Sequence, residues 1–120
     1  MKFNIDSSSI SELVSQMTEV LEQLETSGKK WAEAKSVFDD ITNKKDPTIS
    51  SLMANVDGSQ AYKEQVALGS NSYANFLKGL SAARSKYLQA QVEYDLDRLK
   101  VECIRSVLSI RKEEVKNFKG

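Results

Sequence analysis

The chain is predicted to be all-α, with two long amphipathic helices forming an antiparallel coiled-coil hairpin, a short connecting helix between them, and two such chains assembled as a dimer. Three observations predict this. Apolar residues recur in steps of three and four through both halves of the sequence, the mark of helices that wind round one another. Only five Gly and one Pro interrupt 120 residues, which favours long uninterrupted elements. The length suits one domain, so residues 1–120 are expected to be a single helical unit.

Residues 1–8 open with Met1-Lys2-Phe3-Asn4-Ile5-Asp6, an alternating run too short for more than an extended arm. Ser9-Ile10-Ser11-Glu12 has the form of a capping box, in which each side chain satisfies a backbone N–H of the other. It predicts a helix over 9–43. Within it Ile10, Met17, Leu24, Trp31 and Phe38 recur every seven residues, interleaved with Leu13, Val20, Ser27, Ala34 and Ile41. Ser27 is the one polar intruder, and its neighbour Gly28 weakens the helix by about 1 kcal/mol relative to Ala.

Asn43-Lys44-Lys45 closes this helix with lysines suited to a negative C-terminal end. Asp46-Pro47 restarts the chain, Asp as N-cap and Pro in the first helical position. Ile49, Leu52, Met53 and Val56 then mark a short amphipathic helix over 47–56. Asp57-Gly58 reads as a turn and Ser59 as the next cap.

A long helix is predicted over 60–118, about 88 Å at ~1.5 Å per residue. Its seam runs Tyr62, Val66, Gly69, Tyr73, Phe76, Leu80, Ala83, Tyr87, Ala90, Tyr94, Val101, Ile104, Leu108, Val115 and Phe118. Asp97 and Arg111 interrupt it; they either fix register, as buried polar residues can, or mark where the seam opens to solvent. A second apolar stripe, Leu88, Val92, Leu96, Leu99, Cys103, Val107 and Ile110, is read as lying beside the seam. One stripe suffices for one partner helix, so the second is assigned to the interface with another copy of the chain.

Charge adds to this. Residues 1–57 carry six lysines against ten acids, a net of −4, and residues 58–120 eleven basic residues against seven acids, a net of +4. Opposite signs suit helices that pack together, and the overall balance of zero exerts no general pull on nucleic acid. The sequence has no His and one Cys. That removes the usual triads, zinc sites and 2-His-1-carboxylate sites, so no catalysis, no metal and no cofactor are expected. Cys103 cannot form an internal disulfide, and it is expected to be a small buried hydrophobe in a reducing cytoplasm. No export signal and no apolar run of ~18 residues are present, which points to a cytoplasmic protein without membrane contact.

Two constellations have a functional reading beside a structural one. Tyr62, Tyr73, Tyr87 and Tyr94 could stack single-stranded bases, with Arg84, Lys86, Arg98 and Lys100 on phosphates. Arg105, Arg111, Lys112, Lys116 and Lys119 could extend that grip. The preferred reading places the tyrosines in the seam and the basic residues on a solvated face. Asp39-Asp40 and the group Glu93, Asp95, Asp97 lack the spacing and central Gly of a calcium loop.

Tyr87 and Tyr94, then Arg98, then the run from Glu102 to Glu114 (ECIRSVLSIRKEE) resemble the ending of small helical proteins encoded by bacteriophages. In these a helical N-terminal part and a short break precede a Tyr-rich helix that finishes in a Leu/Ile-Arg-Ser pattern. The likeness covers roughly residues 40–115. It implies an accessory protein in phage DNA metabolism or anti-defence, acting in the host cytoplasm. The function expected is a non-enzymatic protein–protein module or inhibitor. A nucleic-acid binder using the basic C-terminal helix and a structural assembly component are the alternatives.

Overall fold

A computed structural model describes residues 9–119, with side chains through residue 117. The arm expected over 1–8 lies outside the described residues. Four helices follow one another: α1 (Ile10–Asn43), α2 (Lys45–Met53), α3 (Gln60–Leu68) and α4 (Asn71–Lys119). No strand occurs among the described residues, so the chain is all-α.

α1 starts where the capping pattern sets it. The Glu12 N–H donates to Ser9 Oγ at 3.2 Å, filling one of the donor positions a helix start leaves open. Its end is dictated by Pro47, which has no N–H for the Asn43 carbonyl and whose ring would crowd it. The break is a single residue, Lys44, at φ −86° and ψ −3°. Asp46 is therefore not the N-cap of α2. The helix begins at Lys45, Lys44 makes no side-chain cap, and Asp46 lies in the first turn. Pro47 occupies the third position, where a missing N–H costs no hydrogen bond.

α2 stops at Met53, short of the predicted 56, as Val56 N–H turns back to Met53 O at 3.1 Å. Gly58 then takes φ +126°, a conformation L-residues avoid. Ser59 caps α3, its Oγ accepting from the Tyr62 N–H at 3.2 Å.

The helix predicted over 60–118 is two helices. Gly69 and Ser70 part α3 from α4. The Ser70 hydroxyl donates to Ala67 O at 2.7 Å and accepts from the Tyr73 N–H at 3.2 Å, so one side chain closes α3 and opens α4. Tyr62 and Val66, seam positions in the continuous-helix reading, are exposed as a result.

The chain separates into two compact units, Met1–Lys30 with Gln91–Gly120, and Trp31–Ala90. In the first, Leu13, Val20, Val101 and Ile104 form the buried core, with Met17, Leu24, Val107 and Leu108 packed around it. Further along α1, Gly28 faces Tyr94, so the two segments run antiparallel. Burying side chains of this kind contributes ~1.5–3 kcal/mol each. In the second unit Tyr87 lies between two α1 rings, 5.5 Å from Phe38 in a stacked pair and 6.5 Å from Trp31 in a tilted one. Here too α1 and α4 supply the facing seams. Every predicted seam position of α1 from Ile10 to Ile41 is buried or half-buried, and so is every one of α4 from Tyr73 to Arg111.

Candidate interaction surface

α4 has more apolar surface than its seam uses. At 3.6 residues per turn, Leu99 sits about 160° round the helix from Val101, which is buried in the seam. The second stripe therefore lies on the outward face of α4 and not beside the seam. Within the first unit Val92 is 59% exposed, Leu96 53%, Leu99 60% and Ile110 58%. Leu88, in the other unit, is exposed as well. Two residues of the expected interface differ from the rest of the stripe. Val107 packs against the core of its own chain, because it stands at the edge of the seam. Cys103 is exposed and not buried, since no described residue covers it on the outward face.

Beside the stripe runs an open groove of about 580 Å³ between α1 and α4 of the first unit. Leu21, Leu24 and Val101 line its apolar part with Leu99 at the edge. Asp95, Arg98, Glu102 and Arg105 form its charged rim. Arg105 pairs with Glu102 at 3.1 Å and Arg98 with Asp95 at 3.9 Å. The Arg98 guanidinium also lies over the Tyr94 ring, 5.6 Å from its centroid. Tyr94 in turn reaches the helix surface left bare by Gly28, where an added Cβ would meet its Cε1 at 3.2 Å. On the other side of the same helix pair, Glu19, Glu22, Glu93 and Asp97 line a second groove with Lys30. No group of three or more His, Cys, Asp or Glu among the described residues could hold a metal ion.

The residues considered for nucleic-acid contact are dispersed by their pairing. Lys100 bonds Asp97 at 3.7 Å and Arg111 bonds Glu114 at 3.3 Å, so both polar seam interruptions are neutralised one turn along their own helix. Arg84, Lys86, Lys112 and Lys116 are exposed. Tyr73 is buried, Tyr87 is stacked on Phe38, and Tyr94 is half-buried beside Gly28; of the four only Tyr62 is exposed, with its ring lying against Gly58. An aromatic platform next to a basic track is what base stacking needs, and the seam has consumed the platform.

The sequence missed the groove. Its apolar part comes from Leu21 and Leu24 on one helix and Val101 on another, and no periodicity within either helix reports their proximity. The clamp at Ser70 was legible in principle as Gly-Ser at a helix junction, but the uninterrupted step pattern overrode it. No helix is long and apolar enough to cross a membrane among the described residues. Compared with known protein families, curated proteins and solved structures, the chain shows no significant match to any.

Proposed function

We propose that this chain works without catalysis, as a helical protein–protein contact module whose working face is the outward stripe of α4. One observation carries the reading: Val92, Leu96 and Ile110 are each more than half exposed on a helix whose opposite face is already occupied by α1. Contiguous exposed apolar residues of this kind mark interaction sites. The absence of His and the single Cys support a role without catalysis. The resemblance of residues 40–115 to phage-encoded helical proteins supports an accessory or inhibitory role in the cytoplasm of an infected host, on a complex of DNA metabolism or defence.

Val92→Asp with Leu96→Asp tests this, because both positions are exposed and the fold does not depend on them. The wild-type chain should capture a stoichiometric protein partner from phage-infected cells, and the variant should lose it while keeping its helix content. Oligonucleotide binding tighter than about micromolar at physiological salt, above the usual non-specific range, would overturn the reading. So would its loss on charge reversal at Arg105, Arg111 and Lys112.

A further inference from the structure

We propose that a second copy of this chain docks on the groove of the first unit, across a two-fold axis passing at residue 100 of α4. This rests on the reading of the chain as a contact module, and it names one partner and a face that meets the outward stripe only at Leu99. Along the groove rim the charges run Asp95, Arg98, Glu102, Arg105. Their spacing is three, four, three, which keeps them in one row on the helix and is unchanged when the row is reversed. The signs alternate minus, plus, minus, plus, and reversal inverts every one.

A two-fold contact requires that if one residue meets a second, the second meets the first. Two α4 helices laid antiparallel about residue 100 set Asp95 against the partner's Arg105 and Arg98 against the partner's Glu102, each pair occurring twice. A slip of three residues sets Arg98 on the partner's Arg105 or Asp95 on the partner's Glu102, so the row also selects its register. Leu99, 60% exposed, stands at the edge of the same groove, beside the apolar floor that Leu21 and Leu24 form. Leu21 is itself 47% exposed in the single chain. The Asp95–Arg98 and Glu102–Arg105 pairs within each helix hold the charges in order before the second copy arrives. Such pairs contribute little while solvated and more once an interface excludes water.

The test uses the full chain and a fourfold inversion: Asp95→Arg, Arg98→Glu, Glu102→Arg and Arg105→Glu together. The inversion preserves the pairs within the helix and the match between two inverted copies, but it opposes like charges against a wild-type copy. Wild type and inverted chain should each sediment at twice the monomer mass. Co-expressed with different tags, each should capture its own kind, with the mixed species about tenfold below its statistical share, because juxtaposed like charges are strongly disfavoured. Leu99→Asp should give monomers of unchanged helix content. Sedimentation of the wild type as a monomer at tens of micromolar would overturn the second copy as occupant and leave the capture test of the outward stripe standing. Free mixing of wild-type and inverted chains in dimers would overturn the charge register.

Discussion

Ser70 joins two helix ends with a single hydroxyl, giving its proton to Ala67 O and receiving that of the Tyr73 amide. Replacing it with Ala leaves one buried-side carbonyl and one amide without that partner, and the loss of an N-cap alone costs ~0.5–2 kcal/mol. Ser70→Ala is therefore expected to lower stability by about that amount in urea unfolding, more than Ser59→Ala, whose hydroxyl makes the amide bond only. Ser27 follows the same logic in a different place. Buried in the α1 seam, it gives its hydroxyl to Leu24 O, so a polar side chain is tolerated there without an orphaned group.

At the scale of the elements, the α3–α4 break is a contest between local chemistry and periodicity. The seam steps run through Gly69 without a change of phase, yet Gly and Ser are poor helix formers in an interior and Ser is a good cap. Gly69 sits at φ −89°, so no left-handed conformation requires a glycine there. Gly69→Ala combined with Ser70→Ala removes both influences and is expected to fuse the two helices. Spin labels at the exposed positions 61 and 82 should then move to roughly 32 Å apart, the span of 21 residues at ~1.5 Å each; an unchanged distance would show that packing and not capping holds the break. The contest explains what was legible beforehand. The start of α1, the Gly58 turn and the Ser59 cap are short-range patterns with one physical solution, and the structure follows them. At the α1–α2 junction Asp-Pro has two solutions, and because α2 begins at Lys45, directly after the break at Lys44, Pro47 takes the third position instead of the first. The outward stripe could be read from one helix alone, but its angular relation to the seam and the neighbouring groove could not.

At the scale of the molecule, little side-chain mass among the described residues is fully buried: Leu13, Val20 and Ile104 are the largest such residues, while Leu21, Val92, Leu96, Leu99 and Ile110 remain in solvent. A core that thin leaves marginal stability, and any association that covers the exposed set adds to it by mass action. The melting temperature of the wild type is accordingly expected to rise with protein concentration, and that of Leu99→Asp to stay constant, as differential scanning calorimetry over a hundredfold range would show. The outward stripe adds a geometric condition on whatever covers it. Its members step by four, four and three residues, an eleven-residue period with 3.67 residues per turn, whereas the seam repeats every seven with 3.5. In the frame of the left-handed supercoil the seam favours, the stripe drifts by about 5° per residue, or roughly 80–90° between Val92 and Ile110. A helix following it must leave the side of α4 on which it began. The partner of this face is thus obliged to cross α4 obliquely, with a right-handed sense, instead of lying alongside α4 as a further strand of the same coil.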